Sequence, residues 1–223
     1  MTDTVHLNRW HITDYAPALR WQQATANTVR AGGEEALALL QHPPVYTLGR
    51  RVRHDHLLTD IATLRSRGAE VIEADRGGDI TFHGPGQLVA YPILDLHRRR
   101  LGAVDYVRAL EETMLRTLDH FGIEGSRLTG LPGVWVDGAK IGAVGVRVQG
   151  GVTTHGFALN IDVDLAWFDA IVPCGIAGAG VTSMQQVLGQ IPGIEAVTDA
   201  IESEFASLFG VALVRDREPA HAR

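Results

Sequence analysis

Between Val134 and Ile161 two glycine turns, Asp137-Gly138 and Gly150-Gly151, separate three strand-like runs: Val134–Val136, Lys140–Val148 and Val152–Ile161. An aspartate-glycine pair is a strong hairpin signal, because both positions accept the positive φ that a tight reversal between twisted strands requires. The segment is predicted to form an antiparallel three-strand meander, and the rest of the fold must be built around that sheet. Elsewhere helices and strands interleave with few regular strand–helix–strand units. Thr13-Asp14 opens a helix to about Arg30, ended by Ala31-Gly32-Gly33. Ala36–Leu40 and Val45–Leu48 read as strands broken by His42-Pro43-Pro44. A short helix is expected over Leu57–Arg67, stopped at Gly68, and strands at Val71–Ala74, Asp79–Phe82 and Gln87–Leu94. Asp105–Phe121 is the clearest helix, with Val107, Leu110, Met114, Leu115 and Leu118 on one apolar stripe. Ile194–Phe209 is a last helix, followed by Gly210, a strand Val211–Val214 and a polar tail from Arg215. With no repeat and no linker-like run, the fold class is α+β: one mixed-sheet domain over residues 1–214 and a tail over 215–223.

At 223 residues the chain is long enough to bury a substantial core. A net charge of -6 argues against a nucleic-acid partner, which would call for a basic balance. One cysteine excludes an intramolecular disulfide and a multi-cysteine metal centre, and a free thiol fits a reducing compartment. No apolar run reaches the length of a membrane span, and Met1–Tyr15 lacks a signal-peptide core. The expectation is a cytoplasmic protein with neither nucleic acid nor membrane as partner.

That cysteine, Cys174, is matched by a single lysine, Lys140; every other fixed cation is arginine. Arginine stays protonated and cannot act as a base, whereas a desolvated lysine can. A thiol beside a cation becomes a nucleophilic thiolate. Lys140 follows the Asp137-Gly138 turn and alternates with Ile141 in an apolar strand, so an inward Lys140 would be desolvated and an outward one would be an ordinary surface lysine. Cys174 sits in Ile171-Val172-Pro173-Cys174-Gly175, ahead of a glycine-rich stretch whose backbone N–H groups could hold an oxyanion. The alternative is a buried filler thiol.

Two more constellations stand out. Arg76-Gly77-Gly78-Asp79-Ile80-Thr81-Phe82-His83-Gly84-Pro85-Gly86-Gln87 carries too many glycines for a simple hairpin. Glycine lets a ligand approach the main chain closely, Arg76 could supply a fixed cation, and His83 could donate, accept or titrate. It is not a nucleotide phosphate loop, since no lysine follows. Thr154-His155-Gly156-Phe157-Ala158-Leu159-Asn160 is the other.

Together, RGGDITFHGPGQLVAYPILDL (Arg76–Leu96), GAKIGAVGVRV (Gly138–Val148), THGFALNI (Thr154–Ile161) and IVPCGIAGAGVTSM (Ile171–Met184) resemble the lipoyl(octanoyl) transferase family in order and spacing. The resemblance implies a fold like the catalytic domain of biotin and lipoate protein ligases. It implies transfer of an octanoyl group from octanoyl-acyl carrier protein to a lysine of lipoyl domains, those of 2-oxoacid dehydrogenase complexes and the glycine cleavage H protein. Cys174 matches the acyl-thioester nucleophile and Lys140 the residue that lowers its pKa. The substrate-binding segments fall on Arg76, Gly77, Gly78, Asp79, Ile80, Thr81, Phe82 and His83, on Ala143, Val144 and Gly145, and on Gly156, Phe157 and Ala158, with His155 as a candidate supporting residue. Neither ATP nor a metal is expected, the donor carrying its own phosphopantetheine thioester.

The rivals are an ATP-dependent lipoate or biotin ligase on the same fold, a cysteine hydrolase pairing Cys174 with His83 or His155, and a non-catalytic acyl-binding protein. Acyl carrier proteins are acidic, so a negative enzyme needs a local basic patch. Arg50-Arg51-Val52-Arg53 and Arg98-Arg99-Arg100 are the candidates. His54-Asp55-His56 lacks the further ligands a metal would require.

Overall fold

A computed structural model describes residues 3–172 and 180–215. In chain order the elements are β1 (Asp3–Ile12), α1 (Tyr15–Arg30), β2 (Glu35–Gln41), β3 (Val45–Leu48), α2 (Ile61–Ser66), β4 (Glu70–Glu73), β5 (Ile80–His83) and β6 (Gln87–Ile93). They continue with α3 (Ala103–His120), β7 (Ser126–Leu128), β8 (Leu131–Val136), β9 (Ala139–Gln149), β10 (Val152–Asn160), α4 (Met184–Leu188), α5 (Ile194–Phe209) and β11 (Val211–Arg215). Short 3₁₀ turns lie at His54–His56 and Leu165–Ala170.

The meander is β8-β9-β10, antiparallel throughout, and its first turn has Asp137 at φ 49° and Gly138 at φ 80°. It forms one side of an eight-stranded sheet in the order β11-β1-β2-β6-β10-β9-β8-β7. β1 pairs parallel to both β11 and β2, and the remaining pairs are antiparallel, so the sheet is mixed. Alternate residues of the central strands feed two cores. Leu37, Leu39, Leu88, Ala90, Phe157 and Leu159 join Leu110, Met114 and Leu118 of α3 and Ile201 and Phe205 of α5. Ala38, Leu40, Val89, Tyr91 and Ala158 meet Ala18 of α1 on the other face. Burial on both faces explains why β2 reads as an unbroken apolar run. Each fully buried leucine contributes about 1.5–3 kcal/mol.

A second sheet, β4-β3-β5, pairs β3 parallel to β4 and antiparallel to β5. Its core gathers Tyr46, Leu64, Ile80, Phe82, Phe168 and Ile171, with the Phe82 and Trp167 rings stacked at 5.3 Å.

The elements differ from the sequence reading at several places, among them the unpredicted β7 and the earlier start of β8 at Leu131. The helix expected over Leu57–Arg67 is confined to Ile61–Ser66, because Asp60 caps it by accepting from Thr63 N at 2.9 Å. Leu57 instead bridges Ile171. β1 was not foreseen, and Arg215, assigned to the tail, closes β11 opposite Leu7. The rest of the tail lies outside the described residues. Among the described residues no helix is long and apolar enough to cross a membrane.

Candidate active site

Three elements wall a cavity beside α1: the Arg76–His83 segment, β9 at Ala143–Gly145, and β10 at His155–Ala158. All the sequence-predicted substrate residues line it except Phe82. That ring is buried among Tyr46, Trp167 and Phe168, since alternation along β5 turns it into the small-sheet core. Tyr15, Val89 and Tyr91 complete the lining and were not singled out in the sequence. They read there as ordinary members of apolar stripes.

The space is narrow, about 60 Å³, and lies beside a larger cavity of about 410 Å³. Gly77, Gly78, Asp79, Val144 and Gly145 line both, and Lys140 lines the larger one with Arg51, Val107 and Pro132. Gly78 has φ 91°, so glycine is needed there for the backbone and not for clearance alone.

Arg76, 7% exposed, acts as a strut. Its Nε donates to Thr47 Oγ1 at 2.9 Å, Nη2 to the Thr47 carbonyl at 2.5 Å, and Nη1 to the Gly77 carbonyl at 3.0 Å, tying β3 to the glycine segment. Asp79 accepts from Arg53 N at 3.0 Å and contacts His56 Nδ1.

The inner end is a neutral network. His42 Nδ1 lies 2.6 Å from the Thr13 carbonyl, which can only accept, so Nδ1 carries the proton and Nε2 accepts from Tyr91 OH at 2.7 Å. Gln87 Nε2 donates to Asn160 Oδ1 at 2.9 Å, leaving its Oε1 to accept from His83 Nδ1 at 2.6 Å. Burial pushes His42 down to about 4 and His83 to about 3, with repulsion from His42 adding to the latter. Burial raises Tyr15 to about 12, and its buried OH has no hydrogen-bond partner among the described residues.

His155 adopts φ 58°, rare for a non-glycine residue. The cost is offset by a Gln22 Oε1 that accepts its N–H at 2.7 Å and by an Asp75 Oδ1 2.7 Å from Nε2. Burial, with Arg76 and Arg147 adding repulsion, lowers it to about 3, so the neutral ring donates to Asp75. The next residue, Gly156, must lack a Cβ, which would lie 2.1 Å from the Ala90 carbonyl.

Lys140 is the inward lysine of the two sequence alternatives. It is 5% exposed, while Ile141 packs into the helical core on the other face of β9. Its Nζ donates to the Pro132 carbonyl at 3.0 Å and lies 4.7 Å from the centre of the Trp135 ring. Its main chain is also engaged: Lys140 N donates to Gly180 O at 2.8 Å, and Thr182 N donates to Lys140 O at 2.9 Å. On the other side of the gap in the described chain, Val172 N donates to His56 O at 2.8 Å. Cys174 and its glycine-rich neighbours lie between, outside the described residues. Among the described residues no group of three His, Cys, Asp or Glu could hold a metal ion.

The class follows from the family model described as lipoyl protein ligase A/B catalytic domain, which matches residues 14–206. The fold agrees. A bi-partite lipoate protein ligase of Thermoplasma acidophilum superposes with a TM-score of 0.73 at 15% identity, covering 100% of this chain and 89% of that one. A biotin protein ligase of Aquifex aeolicus, in complex with biotin and ATP, gives 0.54 at 11% identity over 94% and 71%. In sequence, an octanoyltransferase of Chloroflexus aggregans is 46% identical over 201 residues, 88% of this chain and 90% of its own length. The chain belongs to the octanoyltransferases within the lipoyl protein ligase A/B catalytic-domain family.

Proposed function

We propose that the chain moves an octanoyl group from octanoyl-acyl carrier protein onto a lysine of a lipoyl domain, through a thioester on Cys174. The observation that carries this reading is the buried Lys140, placed in a cavity that shares its glycine wall with the narrow cavity and bonded through its backbone to Gly180 and Thr182.

The octanoyl chain lies along Gly77–Asp79 and Ala143–Gly145, its reacting carbon toward Lys140. Lys140 takes the Cys174 proton. The thiolate attacks the donor carbonyl, the bond to the carrier sulfur breaks, and the departing thiolate recovers the proton from Lys140. In the second half the acceptor lysine's neutral amine attacks the Cys174 thioester. Its proton passes to Lys140, the C–S bond breaks and an amide remains. The exchange of one thioester for another is nearly balanced, and amide formation runs downhill, so neither ATP nor a metal is needed. The acceptors are the lipoyl domains of 2-oxoacid dehydrogenase complexes and the glycine cleavage H protein, in the cytoplasm.

The test is transfer to a lipoyl domain with octanoyl-acyl carrier protein as donor and no nucleotide. Octanoyl-lysine formed under those conditions supports the reading. Transfer only from free octanoate with ATP would replace it with the ligase reaction, and release of octanoate without an acceptor would point to a hydrolase.

A further inference from the structure

The two arginine-rich stretches have different fates. At Arg98–Arg100, Arg99 is buried in an ion pair with Glu35, and Arg98 donates to the Gly33 carbonyl at 3.3 Å. Those contacts hold the chain after β6 against the start of β2, and none of the three lines either cavity.

The Gly49–Arg53 turn is built differently. Gly49 N donates to Asp79 O at 3.1 Å, Arg50 N to Arg76 O at 3.0 Å, and Arg51 N to Gly78 O at 3.0 Å. Arg53 N adds its bond to the Asp79 carboxylate, and the Arg53 side chain pairs with Asp55 at 2.7 Å. A Cβ on Gly49 would lie 2.4 Å from Gly78 O, so only glycine permits so close an approach. The turn is thus strapped to the glycine segment that walls both cavities. Arg50 and Arg51 are exposed, and neither makes an ion pair with a described residue. Arg51 lines the larger cavity beside Lys140.

These two cations stand out against a chain of net charge -6, whose overall field repels an acidic macromolecule. We propose that Arg50 and Arg51 dock the acidic surface of the carrier protein that delivers the acyl thioester into the Lys140 cavity. This rests on the function proposed above and adds where the donor sits. Because the turn is bonded to Arg76–Asp79, a carrier seated there has its thioester arm beside the cavity mouth.

The test compares wild type, Arg50→Glu/Arg51→Glu and Arg50→Lys/Arg51→Lys with two donors, octanoyl-acyl carrier protein and free octanoyl-phosphopantetheine, against one lipoyl-domain acceptor. Charge reversal is expected to lower the carrier-to-free-donor ratio of kcat/KM by about tenfold or more at low salt. The loss should shrink as salt rises, and the lysine pair should stay close to wild type. An unchanged ratio would overturn the docking surface. An equal loss with both donors would assign the arginines to the arm's phosphate, and a rise in the acceptor's KM alone would assign them to the lipoyl domain; either overturns it. Wild-type turnover of the carrier donor is the control on function. Its absence refutes the transferase reading and the docking together, whereas its presence with an unchanged ratio refutes the docking alone.

Discussion

The two ends of the site are equally buried and chemically opposite. At one end Lys140 Nζ donates to a backbone carbonyl and lies against an indole face. At the other, burial pushes His42, His83 and His155 far down, and an accept-only partner on one nitrogen of each ring fixes where the remaining proton sits. The difference teaches what each end is for. On the function proposed above, the basic end is where protons move, and the narrow cavity walled by Gly77–Asp79 and Ala143–Gly145 is where an apolar chain would lie.

The comparison breaks most directly at Lys140. Lys140→Arg keeps a cation but removes the base, and should cost about 10²–10⁴-fold in kcat. Wild-type turnover in steady-state assays would show that charge alone suffices. The histidine end is probed by pH. An unfolded chain binds protons on these histidines near pH 6.5, the folded one only near 3–4, so the unfolded state holds more protons in between. Stability should therefore be full above pH 6.5 and fall as pH drops toward 4, by up to about 1.4 kcal/mol per pH unit per histidine. Urea midpoints that stay flat from pH 7 to 5 would mean these rings are not held neutral.

A substitution at the shared wall sharpens the contrast. Ala143→Val adds bulk on β9 without the backbone strain that any side chain meets at Gly78, and should shift acyl preference to shorter chains by about tenfold. Equal use of six- and eight-carbon donors relative to wild type, in competition, would place the chain elsewhere. The smallest effect is expected at Tyr15→Phe. Removing a buried hydroxyl that has no partner among the described residues should leave stability unchanged or raise it by about 1 kcal/mol. A clear drop in melting temperature would reveal a partner for that hydroxyl.

How much of this was legible in the sequence depended on locality. The meander, α1, α3 and α5 follow from turn residues and apolar periods that lie within one window. β1 did not, because its pairing with β2 and β11 is fixed only by contacts distant in sequence, and its polar residues hide the Val5–Leu7 alternation. The glycine-rich segments were visible because close backbone approach excludes other residues, as at Gly156. Tyr15, Gln22, His42 and Tyr91 were not assigned to the site. Their types are common in any core, and only the tertiary arrangement puts Tyr15 and Tyr91 in the cavity wall, with His42 bonded behind Tyr91 and Gln22 behind His155. Phe82 was placed in the site by its neighbours in the segment, but strand alternation sends it the other way.

The measurement that tests the central claim most directly is intact mass after mixing the protein with octanoyl-acyl carrier protein, without ATP or acceptor. One added octanoyl group is expected, absent in Cys174→Ala, slowed in Lys140→Arg and discharged by a lipoyl domain. No adduct on the wild-type protein, with transfer still proceeding, would contradict a covalent route through Cys174 and leave Lys140 without its proposed partner.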